Sequence, residues 1–216
     1  MISSTHDLPP RGNYFAEADY LTQDLGAGTI HNRAGARMLA LEDDFLVEMC
    51  NTLERELGDS AADAIKDIGR DWGVRAAEQF AREMESHYGR PLMQLPLAMF
   101  TACLTEAFRH HGWGAVGVDF GHYPQGLLAV EVGDPVVGGS VRDAGAPVEG
   151  LLAGFLAGMF SHFAGVELDC LQTECQSLGH ARSRFLLTVP ERLEAAAELR
   201  ADGRSHEEIV EELRNT

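Results

Sequence analysis

The chain has 216 residues, with 34 acids against 17 Lys plus Arg and a formal net charge of −17. Hydrophobic residues make up 45% and charged residues 24%, the balance of a chain that folds around a core rather than a disordered one. The charge excludes general DNA or RNA binding, because phosphate is repelled unless one face is basic, and Lys66 is the only lysine.

Residues 1–37 read as an extended N-terminal arm, rich in Gly, Pro, Thr and Asn, with isolated aromatics at Tyr14, Phe15 and Tyr20. Its start lacks the basic-then-apolar order of a secretory signal. Three helices follow. Leu41 to Leu57 carries Leu41, Phe45, Met49 and Leu53 at helical spacing. The second begins at Ala61, presents Ile65, Ile68, Trp72, Phe80 and Met84 as one stripe, and stops at Gly89 and Pro91. The third runs from Leu95 to His111 and is closed by Gly112.

Trp113 to Phe120 and Leu127 to Val132 alternate as a strand pair. A glycine-rich loop, residues 133–145, leads to a helix at Pro147 to Phe163. This helix carries Gly150, Gly154 and Gly158 four apart, a spacing that permits close backbone packing. A second hairpin pairs Val166 to Cys175 with Arg182 to Val189. With Cys175 opposite Ser183, Glu174 faces Arg184 as an opposite-charge pair on the solvent side. The inner face then collects Leu171, Cys175, Phe185, Leu187 and Val189. From Pro190 onward two short acidic helices break at Asp202-Gly203, residues 193–216 forming an acidic helical tail, and Ser205 with Glu208 makes a capping box.

No nucleotide-binding, serine-nucleophile or zinc-protease motif is present in the sequence, so the expectation is a protein without enzymatic activity. The acidic pairs Asp43-Asp44 and Glu207-Glu208 read as solvated. His110-His111 at a helix end reads as structural, since imidazolium there complements the helix dipole. Cys50, Cys103, Cys170 and Cys175 form no CxxC and predict free thiols in a reducing cytoplasm. Cys170 and Cys175 have an odd separation, which on a regular strand puts them on opposite faces, unable to share a metal. Cys175 and Glu149 are the candidate metal ligands, with Ser183 nearby, although thiolate, carboxylate and hydroxyl make a poor zinc set. A plain buried cysteine is the alternative. The hydrophobic run 150–166 is short for a membrane span and contains His162.

Several phrases in order carry a resemblance. They are Leu57-Gly58 followed by Gly69 and Gly73, then Gly112-Trp113-Gly114, then Pro147 to Gly158. Last comes Glu174-Cys175-Gln176-Ser177-Leu178-Gly179-His180 running to Arg184-Phe185. Over residues 38–192 the chain resembles the 4-vinyl-reductase-type small-molecule-binding domain. That family includes the sensor halves of aromatic-responsive transcription activators and a bacteriochlorophyll-biosynthesis protein, and is distantly related to subunits of the TRAPP vesicle-tethering complex. In its aromatic sensors the resemblance implies zinc held by a cysteine at the start of the glycine-rich helix, a Glu-x-x-Cys and a later cysteine. Here Glu149, Gln172, Cys175 and Ser183 stand at those places, so one ligand of four is kept and no cofactor is expected. A shorter resemblance, on Gly112-Trp113-Gly114 and the Pro147-Val148 helix start, is to the D subunit of bacterial cellulose-synthase operons. It implies a ring-forming scaffold.

The expected fold is mixed α+β, an antiparallel sheet of two hairpins backed by helices, with a ligand-binding domain over 38–192. The expected function is non-catalytic capture or sensing of a small apolar, aromatic or tetrapyrrole-like molecule by a cytoplasmic homodimer that signals through a partner protein. Candidate pocket residues are Trp72, Phe100, Trp113, Phe155, Met159, Cys175 and Phe185. The alternatives are the scaffold and a vinyl-tetrapyrrole reductase.

Overall fold

A computed structural model describes residues 12–141 and 145–215. Residues 1–11 of the expected arm, 142–144 of the glycine-rich loop and Thr216 of the tail lie outside the described residues. In chain order the strands and helices begin with β1 (Leu21–Asp24), β2 (Thr29–Asn32), β3 (Arg37–Met38), α1 (Asp43–Leu57), α2 (Ala61–Tyr88) and α3 (Leu97–His110). They continue with β4 (Ala115–Asp119), β5 (Leu128–Gly133), α4 (Val136–Ser140), α5 (Gly150–Ala164), β6 (Asp169–Glu174), β7 (Ser183–Thr188), α6 (Pro190–Ala201) and α7 (His206–Arg214). Two compact units share them: residues up to 42 with 79–113, and residues 43–78 with 114–215.

In the first unit the expected extended arm is instead a three-stranded antiparallel meander, β1-β2-β3. The Asp24 carboxylate makes its turn by accepting from the amides of Gly26 and Ala27 at 2.9 and 3.0 Å. The strands are short and largely exposed, so they lack the apolar alternation that marks a strand in sequence. Tyr14, Phe15 and Tyr20 are buried. Phe15 stacks on Phe80 at 5.2 Å, and the Tyr88 hydroxyl donates to the carbonyl of Gly12 at 2.8 Å. His111 differs from the sequence reading: burial pushes its imidazole below the usual value. It is neutral at pH 7, so the dipole argument for an imidazolium does not apply to it.

In the second unit the two expected hairpins merge into one antiparallel sheet of order β4-β5-β7-β6. β5 pairs with β7, with Val130 opposite Phe185 and Leu128 opposite Leu187. α5 packs on β6 and β7, and residues 151–160 of it are all buried. Its glycines explain how. A Cβ on Gly154 would lie 2.0 Å from the Lys66 carbonyl oxygen, and one on Gly158 2.0 Å from that of Arg70. On α2, Gly69 and Gly73 approach the Leu151 and Phe155 carbonyls equally closely, at 2.2 and 2.1 Å. The two backbones touch, with no room for side chains between them. The only lysine serves the same junction: Lys66 Nζ and Arg70 Nη2 both reach Asp169, at 2.8 and 2.6 Å.

The opposite face of the sheet is also covered. Leu127 and Leu186 are buried with Ala196 of α6 and Ile209, Val210 and Leu213 of α7, and Leu171 packs beside them. The capping box at Ser205 forms, each partner bonding the other's backbone. α4 lies inside the stretch read as a loop, started by Pro135, a residue whose fixed φ suits a helix entrance.

The register of the second hairpin corrects the sequence reading. Glu174 pairs with Arg184, but Gln172 pairs with Phe185, with a bulge between them at Thr173. The face toward α5 therefore holds Cys170, Gln172 and Cys175 with Ser183, Phe185 and Leu187. Leu171 and Thr173 turn to the other face, and Val189 leaves the sheet to cap α6. A bulge inserts one residue and reverses the alternation beyond it.

Candidate functional site

The bulge is what assembles the candidate site. Residues 172 and 175 are three apart and would face opposite sides of a regular strand. With the extra residue both turn inward, and so does Cys170. Cys170 and Cys175 still cannot share a metal, now because about four strand residues, roughly 13 Å, separate them.

Around Gln172 lies a buried polar cluster. Glu149, Gln172, Cys175, Ser177 and Ser183 are all buried. Gln172 Oε1 accepts from the Glu149 amide at 3.1 Å, and its Nε2 donates to Ser183 Oγ at 3.3 Å and to the Glu174 carbonyl at 3.2 Å. Ser183 Oγ also accepts from the Gln176 amide at 3.1 Å. Cys175 Sγ lies 2.9 Å from Ser177 Oγ. The Glu149 carboxyl accepts from the Gly138 amide, and a Cβ on Gly138 would sit 2.5 Å from that carboxyl oxygen. Burial raises the Glu149 carboxyl to about 7, against the lowering effect of the Gly138 bond.

These are the four places at which the sequence resemblance implied a zinc site, and the fold brings them to one junction. The donors present are a carboxyl, an amide, a thiol and a hydroxyl. Zinc favours thiolate and imidazole, and an amide–hydroxyl pair is a poor substitute. Among the described residues no group of three His, Cys, Asp or Glu is placed to hold a metal.

Of the candidate pocket residues, five lie in the second unit. Phe155, Met159, Cys175 and Phe185 are buried, and Trp72, half-exposed, meets Phe155 edge-on at 5.4 Å between ring centres. Phe100 and Trp113 belong to the first unit. There Phe100 meets Phe80 edge-on at 5.8 Å, and the Trp113 amide donates to the Phe108 carbonyl at 3.1 Å.

Two surface grooves are well formed, and none of the seven candidates lines either. One, of ≈ 350 Å³, is bordered by Asp119, His122, Arg184, His206, Glu211 and Arg214. The other, of ≈ 450 Å³, lies in the first unit beside Tyr14, Arg33, Arg82 and Glu83. His206, missed in sequence, is buried with Nδ1 2.7 Å from Thr173 Oγ1. Thr173 gives its hydroxyl proton to the Arg184 carbonyl at 3.1 Å, which places the imidazole proton on Nδ1. Burial, then the Arg184 charge, hold the His206 pKa below its usual value. A capping box immediately before a histidine was the available signal. All four cysteines are free and buried, and burial raises the thiols of Cys50, Cys103 and Cys170.

None of the curated proteins matches the chain. Among solved structures, the phenol-responsive sensory domain of the transcription activator PoxR, bound to phenol, superposes with a TM-score of 0.62 at 24% identity, covering 81% of this chain and 87% of that one. This establishes a shared fold. A vinyl-4-reductase family protein from Methanocaldococcus jannaschii gives a TM-score of 0.49 at 13% identity, covering 70% of this chain and 83% of that one. A trafficking protein particle complex subunit 3 from Naegleria fowleri, covalently bound to palmitic acid, gives 0.48 at 14%, covering 68% and 93%. No described helix is long and apolar enough to cross a membrane. Residues 128–189, from β5 through the bulged hairpin to the start of α6, match the vinyl-4-reductase (4VR) domain family, and the 4-vinyl-reductase-type resemblance read from the sequence holds there.

Proposed function

We propose that this chain is a non-catalytic module that binds or senses a small, mostly apolar molecule, aromatic or tetrapyrrole-like. It works in the cytoplasm as a homodimer and passes its state to a partner protein. The observation that carries the reading is the fold shared with a phenol-responsive sensory domain over 81% of the chain. Buried apolar side chains on α5 and the sheet, Phe155, Met159 and Phe185, with the inward Cys175, supply the lining such a ligand needs. Exposed Phe45, Leu57 and Ile68 in the same unit support a homodimer, since apolar side chains gathered at a surface favour association.

Thermal-shift titration against a panel of phenols, other aromatics and tetrapyrroles tests the binding. At ligand a hundredfold above Kd the stabilisation is about 2.7 kcal/mol, a rise of several degrees. Phe155→Ala and Phe185→Ala should abolish the response. A flat response to the whole panel removes the sensor reading. Turnover of a vinyl tetrapyrrole with a supplied reductant would make the protein an enzyme. Mass in solution separates a dimer from the higher closed ring that a scaffold would form.

A further inference from the structure

We propose that the junction of α5, β6 and β7 is a metal-independent lock, closed by hydrogen bonds through Gln172 at the place where the resemblance implies zinc. The lock stands whether or not a small molecule binds.

The partners of each donor atom carry the inference. Gln172 spends both amide protons, on Ser183 Oγ and on the Glu174 carbonyl. An amide nitrogen has no lone pair to offer a metal. Ser183 Oγ accepts from two N–H groups, those of Gln172 and Gln176, so both its lone pairs are taken. The Glu149 carboxyl is drawn to the Gly138 amide, into a space that exists because residue 138 has no Cβ. Cys175 is paired with Ser177. A metal entering here would break the network and gain one thiol.

The network also has the connectivity a metal would otherwise supply. Gln172 on β6 reaches the backbone at the start of α5 and the first residue of β7. Ser183 reaches the turn after Cys175. Four segments far apart in the chain are tied at one buried point, where an unmade hydrogen bond is expensive.

The experiment uses the full chain, supplied with excess zinc, desalted and assayed for metal. The lock predicts below about 0.2 zinc per chain, against the near-unit occupancy of a built site, and a thermal midpoint unmoved by EDTA. Zinc at or above half an equivalent that survives desalting, or a midpoint lowered by EDTA, overturns it. Gln172→Leu keeps the volume and removes the bonds, and should lower the midpoint by about 2–8 °C; an unchanged midpoint overturns the lock. The triple variant Glu149→Cys, Gln172→Glu, Ser183→Cys should take up about one zinc and become sensitive to EDTA. If it folds without binding zinc, the claim that these three positions decide the matter fails. If it does not fold, the native chain and Gln172→Leu decide.

Discussion

The two faces of the four-stranded sheet are covered by different means. On one face α5 lies against α2 through bare glycine backbones, and its start is tied to the hairpin by a buried network of amide, hydroxyl and carboxyl groups. On the other, α6 and α7 rest on Leu127, Leu186 and their neighbours, with a charged rim where Arg184 reaches Glu174 and Glu207. A single bulge at Thr173 deals the residues of β6 between the two. A face closed by backbone contact is intolerant of any added atom, whereas a face closed by side chains loses stability in proportion to what is removed.

The sharpest way to break this difference is a side chain at Gly154. Gly154→Val places carbon atoms against the Lys66 carbonyl and should cost more than about 4 kcal/mol. It would appear as loss of a cooperative denaturation transition. On the other face Leu186→Ala removes a fully buried side chain, costs about 3 kcal/mol and leaves the transition cooperative.

The faces should also answer pH in opposite directions. The Glu149 carboxyl ionises near 4.5 when unfolded and near 7 when folded, so between those values the native state holds a proton that the unfolded chain has lost. Its contribution is full below pH 4.5 and is lost as pH rises to 7, a change of about 3 kcal/mol. Denaturation midpoints of Glu149→Gln measured from pH 5 to 7.5 should lack that fall. His206 has a folded pKa below its unfolded 6.5. Its contribution is therefore present above pH 6.5 and lost as pH falls, and His206→Gln should flatten the acid side of the same curve. The smallest effect is expected at the rim. Arg184→Ala loses two ion pairs that are partly exposed and should cost less than about 1 kcal/mol, diminishing with salt.

Much of this arrangement was legible before any coordinates. Helical spacing located the three long helices to within a few residues. Glycines four apart signalled close packing of α5, and the Ser205 capping box was plain. Opposed charges at Glu174 and Arg184 fixed part of the register. The meander before α1 was not legible, because its strands are too exposed to alternate and are held by aromatic residues distant in sequence. Nor was the part that Gln172 plays, since a glutamine on a strand carries no periodic signal. Its three hydrogen-bond partners lie at residues 149, 174 and 183.

Composition, periodicity and small-residue spacing by themselves determined the helices, the hairpins and the family resemblance, because these follow from local sterics and from which residues avoid water. Only the tertiary structure decided which face each residue of β6 occupies and which polar groups meet beneath α5. A bulge is a choice made between two strands, and one inserted residue reverses every assignment beyond it.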